Sequence, residues 1–406
     1  MITSATGGAA STQARAAAQV GYDVSVVDSE AGFESLRADW LSVATRLQSP
    51  SPFQSFEWNR SWWRHFGGRD RLQLLVFRRA GAVTGIAQLR ERRHGPAGLG
   101  PSSLAPLGWG NLLTERLELL FPLEHRAGLL AELSSWLDRK RWDFVCLPGL
   151  AAEDMEAAWI ADGAVRSVDM PFEWRELPGR WEDLVQRLNK SMRDNVRYYP
   201  RLMERTGVPY AFRVAGDATE ALAWLPDLWR LHGARAAGGS GVRHLDYLER
   251  ADFRAFLTEV TELLAPVGGV RLGRLEVAGE VIAIQMWMEQ AGVAYLYYSG
   301  FDPAWSKYSV AMITAAEIIK DCIGRGLGAV DFLRGTGQFK QRWDTERRVS
   351  TDVVIAHRPT LVRPLLKAHR RVQLVVRGAR RDLQHRAAGI RGDREPTLNR
   401  PGGGST

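Results

Sequence analysis

Three apolar segments in a row, joined by connections too short to hold a helix, constrain this chain more than any other feature. Residues 269–277 read GVRLGRLEV, 281–289 read VIAIQMWME and 293–300 read VAYLYYSG, with Ala-Gly in both connections. Runs rich in Val, Ile, Leu and aromatics, bounded by glycine turns, mark strands, so this stretch predicts a three-stranded meander. The middle strand is apolar at nearly every position, as a strand covered on both faces must be. A helix is expected next, over 308–323, because Met312, Ala315, Ala316, Ile319, Cys322 and Ile323 recur at one-face helical spacing. The strand AVDFL (residues 329–333) follows.

An earlier part of the chain reads in the same order. Tyr22–Val27 predicts a strand, Ala31–Leu47 a helix, and QSFEWNRSWWRHFGG (54–68) a second, Trp-rich helix. Leu72–Phe77 and Val83–Leu89 predict a hairpin about Ala80-Gly81; a Gly/Pro-rich connection (95–110), a helix near 124–139 and the strand Trp142–Leu147 follow. Ala80-Gly81-Ala82-Val83 resembles Ala278-Gly279-Glu280-Val281, and Asp143-Phe144 resembles Asp331-Phe332, at matching places in the two orders. A duplicated α/β domain is the expectation, with helices at 181–206, 219–232 and 247–264 opening the second copy. The predicted organisation is a disordered lead over 1–19, a first domain over 20–178, a second over 179–357, a basic amphipathic helix over 358–388 and a disordered tail over 389–406.

A length of 406 residues fits more than one domain. The two cysteines, Cys146 and Cys322, form neither a disulfide framework nor a metal-ligand spacing; a reducing cytoplasm and no metal cofactor are expected. Residues 357–406 hold 12 Lys or Arg against 3 Asp or Glu, so the net +8 of the chain leaves the residues before them at −1. A nucleic-acid-binding core is excluded on that distribution. The basic, amphipathic tail suits an anionic membrane surface, an acidic partner or RNA, or else docks on the protein itself.

The residues LEVAGEVIAIQMWMEQAGVAYLYYSGFDPAWSKYS, GLGAVDFLRGTGQFKQRW, LNKSMRDNVRYYPRLMERTG and LWRLHGAR together resemble the CelD-type, Fem-related acyltransferases of the GNAT superfamily. The resemblance spans most of 20–355 and implies two tandem GNAT-like domains, each a mixed central sheet flanked by helices. It further implies that the third meander strand and the strand after the helix splay apart. Acyl-CoA would lie in the wedge, its pyrophosphate at the helix N-terminus. Transfer of an acyl group from acetyl-CoA or another acyl-CoA to an amine or hydroxyl follows, with an amino sugar, polysaccharide precursor or other envelope component as acceptor. Fem-type proteins imply an aminoacyl-tRNA donor as an alternative, and a catalytically silent binding module is a third reading.

Site residues follow from these two sources. Free N–H groups at a helix start attract anions, which points to Lys307, Tyr308, Ser309, Val310 and Ala311 for the pyrophosphate. Val310 there places a branched side chain where bare backbone would approach phosphates most closely. Asp331 is expected at the centre of the splay, either as a general base or as half of an Asp–Arg pair bracing the loop. Arg334 and Lys340 are candidates to hold an anionic group, and Trp343 offers a stacking face. One of Tyr297 and Tyr298 should face the wedge and protonate the leaving thiolate; Tyr298 is taken for this role. His232 is either a helix-end residue or a base. Arg193 and Arg197, at i and i+4, form an anion-binding pair or a solvated helix face.

Overall fold

Residues 21–94, 100–110, 113–157, 159–160, 164–237 and 246–356 are described by the structure, a computed structural model. In the first half, β1 (Asp23–Val27), β2 (Arg71–Arg79), β3 (Ala82–Arg93), β4 (Ser102–Pro106) and β5 (Phe144–Leu150) lie side by side in chain order. A sixth strand, β6 (Ala164–Glu176), then crosses over. The second half repeats the order with β7 (Ala211–Val214), β8 (Val270–Val277), β9 (Glu280–Gln290), β10 (Val293–Phe301) and β11 (Ala329–Arg334), and ends on β12 (Glu346–Ala356).

The sixth strands are exchanged. β12 pairs with β5 and β6 pairs with β11, both antiparallel, and β6 and β12 pair with each other from Glu346↔Trp174 to Ile355↔Ala164. One twelve-stranded mixed sheet results, with two equivalent halves meeting at its centre. In each half the fourth and fifth strands are parallel and their other neighbours antiparallel. The Ala-Gly repeats fall at equivalent hairpins: Ala80 and Gly81 have φ of 51° and 81°, Ala278 and Gly279 have 50° and 86°. Two successive positive φ values give the turn whose twist matches that of paired strands, and glycine adopts the second without strain.

Strand alternation sorts the side chains into three cores. Leu74, Val76, Ile86, Ile284, Met286 and Tyr295 pack with α1 (Glu30–Ser35), α2 (Arg37–Ala44) and α3 (Phe56–Phe66) of the first half. On the opposite face Leu75, Phe77, Ala87 and Leu89 are covered by α4 (Arg126–Asp138). α5 (Trp181–Arg187) and α6 (Lys190–Arg205) of the second half are followed by α7 (Ala218–Ala237) and α8 (Ala251–Leu264), which join the first core. α9 (Val310–Gly324) covers Ala283, Trp287, Ala294 and Leu296 from the other face, beside α6. A short α10 (Gln338–Gln341) lies in the loop after β11. The halves are pinned where α3 meets α8, by His65 Nε2 at 2.6 Å from Glu259 and by the Trp58 and Phe256 rings at 4.9 Å.

Several expectations change. The helix read over 31–47 is two helices meeting at Leu36, and the stretch 181–206 breaks at Leu188-Asn189. β4 lies inside the Gly/Pro-rich connection, and β6 and β12 are additions to the elements read from the sequence. Their sequences, AVRSVDMPFEWRE and ERRVSTDVVIA, mix charge and apolar residues because the seam is only partly covered; Val349 is 53% exposed. The expected tail helix over 358–388 and both termini lie outside the described residues. No described helix is long and apolar enough to cross a membrane.

Candidate active site

β10 and β11 pair over only three positions, Val293↔Ala329, Ala294↔Val330 and Tyr295↔Asp331, and then separate. Two local features part them. On β10 a bulge places Tyr297 and Tyr298 against a single residue of β9, between the pairs Leu296↔Trp287 and Ser299↔Gln285. On β11 the Asp331 carboxylate accepts a hydrogen bond from the Leu333 N–H at 2.7 Å, and Leu333 takes a φ of 61°. An aspartate bonding the backbone two residues on replaces ladder pairing with a turn.

The gap is a cavity of about 380 Å³ lined by Leu296, Tyr297, Ser299 and Phe301 of β10, Phe332 and Leu333 of β11, Ala311 of α9, Gln285, Arg235, Glu115, Phe339 and Lys340. Glu115 comes from the first half. Segment 113–121 runs through that half's own splay, where Leu120 bridges Ile86 and the Leu117 carbonyl packs on Gly149. A Cβ on Gly149 would stand 2.2 Å from that oxygen. The same segment braces the second-half wedge. Arg116 Nη1 donates to Asp331 at 2.6 Å, Tyr297 Oη to the Leu113 carbonyl at 2.6 Å, and the Arg334 N–H to Glu115 at 3.0 Å.

The electrostatics of the wedge are those of charges withdrawn from water. Burial pushes the Glu115 carboxyl up, against the pull of Lys340 and the Arg334 amide. Burial pulls Lys340 down, with Glu115 and Asp331 opposing; its Nζ donates to the Leu333 and Arg334 carbonyls at 3.0 and 2.5 Å. The Tyr297 phenol is raised well above its ordinary value by burial, so it stays protonated.

Asp331 does not face this cavity. Its side chain is fully buried; burial pushes its carboxyl up, while Arg116 and the Leu333 amide hold the charged form. Arg116 in turn bonds Glu118 at 3.0 Å and lies 3.9 Å over the Phe172 ring. Of the two readings of Asp331, the geometry matches the brace. Tyr297, not Tyr298, lines the wedge; Tyr298 is 9% exposed and packs edge-on against His232 at 5.5 Å. His232 sits behind β10, its Nδ1 donating to the Ser299 carbonyl at 3.0 Å. Gly300 permits that contact, since a Cβ there would meet the His232 nitrogen at 2.3 Å.

Of the helix-start residues, Ala311 reaches the cavity wall. Ser309 has a φ of 53° and Val310 is 1% exposed, its side chain in the core under α9. The branched side chain expected to obstruct the backbone therefore points away. Tyr308 is buried 3.2 Å from Thr206, and Lys307 is exposed above its ring.

Trp343 is 1% exposed and stacks on Phe332, so its face is closed to a ligand; Phe339, 40% exposed, is the aromatic at the cavity. Arg334 turns its guanidinium to within 3.8 Å of Asp352 on β12. Arg193 and Arg197 lie elsewhere. The Thr206–Tyr308 contact puts the end of α6 beside the start of α9, and Lys320 over Trp181 puts α5 beside the end of α9. The two arginines, early in α6, are thus displaced toward the far end of α9.

Glu115, Arg116, Arg235, Ser299, Gln285 and Phe339 are the site residues that sequence reasoning missed. A signal existed for the first two. LLTERLELLF sets charges within a run whose Leu113, Leu117, Leu119, Leu120 and Phe121 are all buried, and charges carried into a core are paired or functional.

Residues 190–341 match the family model described as "Acetyltransferase (GNAT) domain". No curated protein sequence matches the chain. Among solved structures the fold is similar to FemX, at 12% identity and a TM-score of 0.59, over 85% of this chain and 99% of that one. A tandem GNAT protein from the clavulanic acid biosynthesis pathway also matches, at 12% identity and a TM-score of 0.45, over 83% of this chain and all of the other. The second half of this chain thus carries a GNAT acetyltransferase domain, within a fold whose full length it shares with FemX.

Proposed function

We propose that the protein transfers an acyl group from a CoA thioester to an amine or hydroxyl of an acceptor held in the wedge. The observation that carries this is the separation of β10 and β11 beyond Tyr295↔Asp331, into a cavity that reaches the first turn of α9 at Ala311. First-turn N–H groups have no intrahelical partner, and the small Ala311 side chain leaves room for a phosphate there. Acyl-CoA is thus a substrate that the wall residues fit.

In this reading Glu115 accepts the proton of the attacking nucleophile. A carboxyl raised by burial is a stronger base than a surface one, and closer to the working pH. Lys340 supplies positive charge on the same wall, offsetting the negative charge that grows on the thioester oxygen. Tyr297, kept protonated, donates to the departing thiolate. Asp331 and Arg116 hold the wedge open and position Leu333. An amino sugar, polysaccharide precursor or related envelope component remains the proposed acceptor class.

Calorimetric titration with CoA and acetyl-CoA tests the reading. Wild-type protein is expected to bind both, and Ala311→Phe, which fills the start of the cavity, to lose binding while keeping its unfolding temperature. Folded wild-type protein giving no heat with any thioester would refute it; titration with aminoacyl-tRNA then tests the alternative donor.

A further inference from the structure

One cation in the wedge has no counter-charge. Arg235 lies near the end of α7 and lines the cavity; its Nη1 donates to Ser299 Oγ at 2.9 Å, and its guanidinium lies 5.6 Å from the Phe301 ring. It forms no ion pair among the described residues. Burial lowers its pKa with no carboxylate acting to raise it. The segment that follows, GGSGVRHL (238–245), holds no Asp or Glu. The acid on the cavity wall, Glu115, is engaged by the Arg334 amide. Every other charge around the wedge is opposed: Asp331 by Arg116, Glu118 by Arg116, Lys340 by two carbonyls and the nearby Glu115. A guanidinium withdrawn from water without a partner is destabilising unless something supplies the charge.

Its side of the sheet tells what that something is. α7 packs in the core that contains Tyr295, Tyr298 and Leu333, whereas α9 packs in the core that contains Ala294, Leu296, Val330 and Phe332. Ala294, Tyr295 and Leu296 are successive on β10, so the two helices cover opposite faces. Arg235 therefore enters the wedge from the face opposite the α9 N-terminus, where the phosphates of a CoA thioester would sit. The group it meets belongs to the other substrate. Beside it stand only neutral partners, the Ser299 hydroxyl and the Gln285 amide. One positive charge flanked by a hydroxyl and an amide matches a monoanion, and the planar guanidinium fork matches a carboxylate.

We infer that Arg235, Ser299 and Gln285 form a subsite for a carboxylate carried by the acceptor, so that the acceptor is an amino acid or amino-sugar acid rather than a neutral amine. That the carboxylate belongs to an acceptor rests on the proposed transfer reaction; the subsite itself does not.

The test needs no coenzyme. Wild-type protein, Arg235→Gln and Arg235→Lys are titrated calorimetrically with N-acetylated amino acids and N-acetylated amino-sugar acids, each beside its own carboxamide. Some acids are expected to bind, their carboxamides to bind about 10- to 100-fold more weakly, and R235Q to lose that preference while unfolding at nearly the wild-type temperature. R235K should restore part of it. The inference is overturned if carboxamides bind as well as acids, if R235Q keeps the preference for acids, or if no acid binds. It is also overturned if inorganic phosphate or phosphorylated sugars bind through Arg235 more tightly than any acid. Acids binding through Arg235 to a protein that ignores CoA would leave the subsite standing and sink the acyl-CoA reading. CoA binding with no preference for acids would do the reverse.

Discussion

Replacing Asp331 with asparagine separates a brace from a base. The amide side chain would keep an oxygen for the Leu333 N–H but would present no charge to Arg116, 2.6 Å away and 11% exposed. Removing one partner of a buried ion pair costs about 3–5 kcal/mol. Glu118 still holds Arg116 at 3.0 Å, which sets the expectation at the low end, about 3 kcal/mol. Unfolding entropy of about 2.1 cal/mol/K per residue, over roughly 320 ordered residues melting as one sheet, gives about 0.7 kcal/mol/K. The unfolding temperature should then fall by about 4 °C. Calorimetry of D331N, R116Q and the double variant completes a cycle whose coupling energy should exceed about 1.5 kcal/mol. Turnover, once acyl transfer is measured, should fall no more than the folded fraction and wedge geometry require. D331N melting with the wild type, binding CoA normally, yet slowed more than about 100-fold would refute the brace and restore Asp331 as the base.

Glu115→Gln should cut acyl transfer by about 10²- to 10⁴-fold with little change in unfolding temperature. Because the base works ionised and burial raises its pKa, wild-type rates should climb with pH through a limb above the ordinary carboxylate range, and E115Q should lose that limb in a pH–rate profile. Its raised pKa also means that its contribution to stability is full below the unfolded-state value and is lost as pH rises through the folded one. Gly300→Ala should cost about 3 kcal/mol or more in denaturant titration, because its Cβ would meet α7 backbone at 2.3 Å, whereas Gly279→Ala, with open space but a φ of 86°, should cost about 1 kcal/mol. Trp343→Ala should lose about 3–5 kcal/mol of stability; Phe339→Ala, half in solvent, should lose under about 1 kcal/mol and instead raise the KM for the acceptor.

The meander, the α9 stripe and the paired Ala-Gly turns were legible because each is local. Strand alternation, helical spacing and two-residue turns are written in consecutive residues. The splay between β10 and β11 was expected from the family resemblance, and its local causes, the Tyr297–Tyr298 bulge and the Asp331 turn, lay inside the strands already recognised. What stayed hidden depends on distant segments. Arg116 and Glu115 reach the wedge through hydrogen bonds to Asp331 and Arg334, at separations of 215 and 219 residues. Trp343 looked like a platform because aromatic content does not tell which face a loop turns inward. Tyr297 and Tyr298 could not be told apart because a bulge breaks the alternation by which such a pair is sorted.

The traded edge strands have a consequence for how the molecule is made. β5 finds its neighbour only when residues 346–356 have been synthesised, and until then the amino-terminal half presents an unclosed flank beside the segment that supplies Glu115. Closure over so long a chain is entropically slow, so maturation should wait on the final strand, and a chain halted before it should stay inactive. Polypeptides 20–178 and 179–357, produced separately, should each be poor at folding alone and should regain structure on mixing, each handing the other its missing strand.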